Sequence, residues 1–117
     1  MNPHPDALPN ADRAEIHLQK LSNYSLSTEH QTGKHKARRI KAVLGFEAKD
    51  AELIAKMVLA SLPAYQSVAG VSNAWGRMFT VDMPLTGPAG TAIVRAAWII
   101  DDGLDVPRLT SFYVKES

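Results

Sequence analysis

The sequence predicts an α+β fold, with N-terminal helices packed on one face of a four-stranded antiparallel sheet, and three observations carry that expectation. Apolar residues recur at helical spacing up to about residue 62, then alternate strictly from Tyr65 onward. Turn-forming clusters (Gly70, Asn73 and Gly76; PLTGPAG at 84–90; DDGLDVP at 101–107) cut the second half into four runs of strand length. With 117 residues, 45% of them hydrophobic, the chain has material for one core and one domain. Helices followed by hairpin-linked strands are the layout of an α+β domain.

Element by element, residues 1–11, MNPHPDALPNA, contain three prolines and little to bury. They read as a flexible leader or linker remnant, which places the domain at 12–117. Ala14, Ile16 and Leu18 alternate as a short strand, followed by one or two helical turns that bury Leu21, Tyr24 and Leu26. A helix over 34–44 comes next, with Gly45 suited to a left-handed C-terminal cap. A second helix over 50–62 has Leu53, Ile54, Met57, Val58 and Leu62 on its buried face and Pro63 as its stop. Strands near 66–71, 77–85, 91–100 and 108–115 complete an antiparallel meander.

Alternation along the strands separates two faces. Phe79, Val81 and Met83, with Ala92, Val94, Ala96, Trp98 and Ile100, and Thr110, Phe112 and Val114, form the apolar sets that should meet the helices. Thr80, Asp82, Arg95, Ser111 and Tyr113 then share the opposite face. Such a surface is also what any half-solvated antiparallel sheet presents, so the pattern alone does not make it a site.

Charge is the second informative feature. The chain has 13 Lys+Arg against 12 Asp+Glu, so attraction for a polyanion must come from local placement. Lys34, Lys36, Arg38, Arg39 and Lys41 fall within eight residues without an acid. Wound at about 100° per residue, the helix puts Ala37, Ile40, Val43 and Leu44 inward and most of these cations outward. Lys36 projects between Ile40 and Val43, in the apolar sector, where a lysine must extend to water, pair with an acid or reach a cavity. An anion at the helix N-terminus, approached closely at Gly33, would offset the adverse position of that charge in the first turn. A stem laid along the sheet edge, or a carboxylate partner, explains Lys36 equally well. His30, just upstream, is the side-chain type suited to proton exchange near neutral pH, although a lone loop histidine is commonly a surface residue.

Several classes find no support. Cysteine is absent, so there is neither a disulfide framework nor thiolate chemistry. No apolar run approaches the length of a membrane span, and no signal-peptide layout opens the chain. The sequence has no GxSxG, phosphate loop or dinucleotide fingerprint. His30 and His35 lack the accompanying ligands of a zinc site, and Asp82 alone on the polar face does not make a two-metal site. Neither a metal nor another cofactor is expected.

The segments KLSNYSLSTEHQTGKHKARRIKAVLGF (20–46) and FTVDMPLTGPAGTAIVRAAWIIDDGLDVPRLTSFYV (79–114) together resemble a bacterial domain family long catalogued as of unknown function. The shared features are a His–x–x–Gly–x–x–Lys–Ala helix start, a PLTGP–G hairpin, a VR–x–x–W strand and a closing DVPRL strand with a tyrosine. They cover about 100 residues and fall here on His30, Gly33, Lys36, Arg95, Trp98 and Tyr113, with Ser111 where the family usually has threonine. The resemblance implies small toxins encoded beside antitoxins, or the C-terminal tips of polymorphic and contact-dependent inhibition toxins. It also implies likeness to the Barnase, EndoU, colicin and RelE group of ribonucleases, which cleave RNA without metal on the open face of the sheet. The site of action would be the bacterial cytoplasm, reached in some cases from a secreted or cell-surface parent toxin.

Under that reading a ribose 2′-hydroxyl attacks the adjacent phosphate to give a 2′,3′-cyclic phosphate and a 5′-hydroxyl end. The reaction requires proton transfer and cations for the charge growing on the phosphoryl oxygens. The expected catalytic set is His30 for proton transfer, Lys36 and Arg95 on the phosphate, and Ser111 and Tyr113 on the 2′-hydroxyl or a non-bridging oxygen. Gly33, Lys34, Arg38, Arg39, Thr80 and Thr110 form the expected substrate-binding set, with Lys34, Arg38, Arg39 and Lys41 supplying salt-sensitive RNA affinity. The expected partners are RNA, with transfer RNA among the candidates, and an acidic immunity protein or antitoxin. The alternative is a non-catalytic module, antitoxin-like or an adaptor, whose basic helix binds an acidic partner or RNA.

Overall fold

Two helices lie on one face of a four-stranded antiparallel sheet, in a computed structural model that describes residues 4–21 and 34–115. The expected Tyr24 and Leu26 contacts fall outside the described residues. Helix α1 is Lys34–Leu44 and helix α2 is Ala51–Ser61; the strands are β1 (Ser67–Asn73), β2 (Gly76–Gly87), β3 (Gly90–Asp101) and β4 (Pro107–Val114). The sheet order β1-β2-β3-β4 is a plain meander, as short hairpin connections dictate.

The core forms where the period-3.6 faces of the helices meet the period-2 face of the sheet. From the sheet come Val81, Met83, Leu85, Val94, Ala96, Trp98 and Phe112; α1 contributes Ala37, Ile40 and Leu44, and α2 contributes Ala51, Ile54, Ala55 and Val58. Helix α1 packs against β3 and β4, and α2 against β2. Each large side chain in this layer stabilises the fold by roughly 1.5–3 kcal/mol through burial. Gly45 ends α1 at φ 81°, its N–H donating to the Lys41 carbonyl at 2.9 Å, which is the expected left-handed cap.

The expected buried face of α2 needs correction at Leu53, which is half exposed. Ala51, Ile54, Ala55 and Val58 define the inward stripe, and Leu53 winds to the far side of it. Small alanines that let the helix approach the sheet carried more of the pattern than the larger leucine.

The N-terminal segment also differs from expectation. Leu8 and Ala11 are buried in the core, the His4 N–H donates to the Pro63 carbonyl, and the Ser67 N–H donates to the Asp6 carbonyl, both at 2.8 Å. Residues 4–15 thus run from the start of β1 to the start of β4. The expected strand at 14–18 reduces to one parallel bridge, Glu15 with Arg108; Leu18 is exposed, whereas Leu21 is buried as anticipated. One well-placed leucine anchors a proline-rich stretch whose composition alone suggests a linker.

In β4 the alternation slips. Ser111 lies opposite Ala97 but Leu109 lies opposite Trp98, so Thr110 is the extra residue of a bulge. Leu109 is buried in place of the expected Thr110, whose hydroxyl donates to the Ala97 carbonyl at 3.2 Å.

The PLTGPAG turn has a structural task. The Ala89 N–H donates to the Leu44 carbonyl at 3.0 Å, taking one of the acceptors left free at the end of α1. A Cβ on Gly87 would collide with that same carbonyl oxygen. Gly87→Ala should therefore destabilise the domain by roughly 1–3 kcal/mol, as overpacking against backbone does. Trp98→Ala, which empties the largest fully buried position, should cost about 3–5 kcal/mol. Urea unfolding of the two variants beside the parent checks both.

Candidate functional site

The outer face of the sheet is built by register. Thr80, Ala97 and Ser111 form one row across β2, β3 and β4, and Asp82, Arg95 and Tyr113 form the next. Residues two apart on a strand share a face, so the five polar side chains expected there do lie together. Ala97 is the low point between Thr80 and Ser111, which stand roughly 10 Å apart on strands spaced about 4.8 Å.

Arg95 grips Asp82 through two bonds, Nε to Oδ1 at 2.8 Å and Nη2 to Oδ2 at 3.0 Å. Lys115 Nζ lies 3.0 Å from the same Oδ2. The hydrogen bond from Arg95 holds the Asp82 carboxyl below its ordinary value of 3.8, with Lys115 adding to the effect against a smaller cost of burial. Asp82 and then Tyr113 raise the Arg95 guanidinium in turn. Lys36 reaches this face from α1 around the β4 edge, its Nζ 4.5 Å from the centre of the Tyr113 ring. Of the outcomes open to Lys36 in sequence, extension to water is the one realised, and its ammonium lies over an aromatic ring that the sequence reading did not anticipate. Lys36, Arg95 and Lys115 against Asp82 leave a surplus of positive charge around Tyr113.

Other expected residues distribute as follows. His30 and Gly33 lie outside the described residues, as does the side chain of Lys34. Arg38 and Arg39 are exposed on α1, while Lys41 pairs with Glu47 at 3.2 Å and is thereby partly withdrawn from the basic cluster. Thr110 bonds within the β4 bulge, and Thr80 lines a groove on the polar face.

That groove, about 510 Å³, is lined by Arg95, Asp82 and Thr80, by Val68, Gln66, Tyr65 and Ala64, and by His4. Sequence reasoning missed His4, Tyr65 and Gln66, and it set Lys115 in one alternating set with Ser111 and Tyr113 without giving it a role. His4 stood in the segment read as a leader, and its place depends on the bonds at Pro63 and Ser67. Lys115 was legible as the next outward residue after Tyr113. Among the described residues no group of three or more His, Cys, Asp or Glu side chains converges, and no helix is long and apolar enough to cross a membrane.

A family model described as a domain of unknown function (DUF6883) matches residues 7–116. The chain belongs to the DUF6883 family. The match takes in the Leu8 anchor as well as both helices and all four strands, so the segment from residue 7 is part of the DUF6883 domain. A comparison with curated proteins finds no match.

The Asp82 ion pairs give this DUF6883 domain a defined acid response. Because the folded-state pKa lies below the unfolded one, their stabilisation is present above the ordinary carboxyl value and is lost as pH falls through the lower folded value. Asp82→Asn should remove that acid-range component while lowering stability at neutral pH by no more than about 1 kcal/mol, since the pair is partly solvated. Thermal melts of both proteins between pH 2.5 and 7 check this: parallel curves would assign the acid response elsewhere.

Proposed function

We propose that this DUF6883 domain is a metal-independent endoribonuclease of the antibacterial toxin type, acting on the outer face of its sheet. The observation that carries the reading is the convergence of Lys36, Arg95, Tyr113 and Ser111, from a helix and two strands, on one exposed face with surplus positive charge. None of these four belongs to the buried core, so packing alone does not require them.

In this proposal a phosphodiester lies over the Arg95–Tyr113 row. Arg95, whose Nε and one Nη2 hydrogen are engaged by Asp82, offers its remaining Nη hydrogens to the non-bridging oxygens. Lys36 adds a mobile cation to the same charge. Ser111 or Tyr113 orients the 2′-hydroxyl. As the 2′-oxygen bonds to phosphorus, its proton passes to a base, for which His30 is the candidate. The bond from phosphorus to the 5′-oxygen breaks, and that oxygen takes up a proton. Charge on the equatorial oxygens is greatest midway, where fixed cations lower the barrier most. Arg38 and Arg39 extend the basic surface along α1 for salt-sensitive RNA contact. An acidic immunity protein or antitoxin covering the Lys36/Arg95 face would neutralise such an enzyme, with charge complementarity speeding association.

The test is induction of the chain in a bacterium, with growth and total RNA followed beside Lys36→Ala, Arg95→Ala and the double variant, each checked for folding. Growth arrest with RNA fragments ending in 2′,3′-cyclic phosphate is expected. Each single change should slow cleavage by purified protein ~10²–10³-fold. RNA binding without any cyclic ends would instead favour a non-catalytic module whose basic helix holds RNA or an acidic partner.

A further inference from the structure

The groove beside Arg95 has no part in the cleavage chemistry just described, yet it opens onto the same guanidinium. We infer that it is a nucleoside-binding subsite, holding the base next to the phosphate on Arg95; the inference rests on the ribonuclease reading. Its volume of about 510 Å³ lies within the usual range for small-molecule clefts. Its lining combines the Arg95–Asp82 pair and the Thr80 hydroxyl with apolar Val68 and Ala64 and with Tyr65, Gln66 and His4; the β1–β2 register sets Val68 beside Thr80 and Gln66 at the level of Asp82. A phosphorylated nucleoside combines the same chemistries: an anion, sugar hydroxyls and a flat, largely apolar ring with a polar edge.

Two lining residues carry the recognition chemistry. The Gln66 amide, on an exposed residue, presents a donor and an acceptor, the pair that a base edge matches. His4 Nδ1 accepts the Asp6 N–H at 2.9 Å, so the neutral ring carries its proton on Nε2 and offers a donor there. The Tyr65 ring, partly buried against the core, adds an aromatic surface of the kind on which unpaired bases stack. Asp82 does not repel the phosphate as a free carboxylate would, because Arg95 and Lys115 both hold it.

The test is titration of the folded domain with the four nucleoside 3′-monophosphates and with inorganic phosphate, by calorimetry or amide-shift NMR. Gln66→Ala and His4→Ala are measured alongside, with Arg95→Ala as the phosphate control. At least one mononucleotide should bind about tenfold or more tightly than phosphate. Gln66→Ala should lower that preference severalfold and leave phosphate binding unchanged, while Arg95→Ala should weaken both ligands. Equal binding of phosphate and all four nucleotides, or a preference untouched by Gln66→Ala and His4→Ala, overturns the subsite. RNA cleavage whose sequence preference ignores both groove variants overturns it too, while leaving the ribonuclease reading intact. Selective nucleotide binding lost in Gln66→Ala, in a protein that never cleaves RNA, keeps the subsite and overturns catalysis.

Discussion

The unbroken antiparallel register between β2 and β3, from Gly76 opposite Asp101 to Gly87 opposite Gly90, is the constraint on which the rest of the molecule depends. Because side chains alternate across a strand, this one alignment sends Val81, Met83, Val94, Ala96 and Trp98 to the helices. It also sets Asp82 directly opposite Arg95 on the other side. A slip of β3 by one residue would turn Trp98 to solvent and Arg95 into the core, parting Arg95 from Asp82. The hydrophobic cost of that exchange holds the polar face in place, so the core positions the candidate site without touching it.

Electrostatics around the Arg95–Tyr113 row is organised by one carboxylate. Asp82 accepts from Arg95 at two points and from Lys115 at a third, and a carboxylate so partnered narrows the rotamers of both cations. Partly exposed pairs of this kind add little to stability. Their larger effect is preorganisation: a guanidinium already held in one orientation loses less freedom when an anion arrives. Lys36 over Tyr113 joins helix α1 to the same arrangement, so the basic helix and the polar sheet face form one continuous surface.

The motifs quoted from the sequence divide by the work their residues do. Gly87 gives clearance to the Leu44 carbonyl, Ala89 caps the end of α1, Trp98 fills the core, and Leu109 is buried through the β4 bulge. Those positions follow from packing. Lys36, Arg95, Ser111 and Tyr113 stand on the opposite surface, where no comparable packing demand exists. The same division separates residues whose loss should unfold the domain from residues whose loss should leave it folded.

Periodicity was sufficient for the α+β class, both helices, the strand order and the five-residue polar face, because each rests on a local repeat that burial enforces. Local pattern failed where a long-range contact overrode it. The bulge that exchanged Leu109 for Thr110 answers to the pairing of β3 with β4, and the burial of Leu8 answers to a pocket assembled from distant elements. Leu53 misled because the inward stripe of α2 is drawn by small alanines that fit against the sheet. The chain alone thus specified which residues alternate and which side of each element is apolar. Only tertiary packing decided that the N-terminal segment folds back to carry His4 to the groove beside Arg95. No repeat encodes that meeting, since it depends on two backbone hydrogen bonds and one leucine spanning some sixty residues of sequence separation.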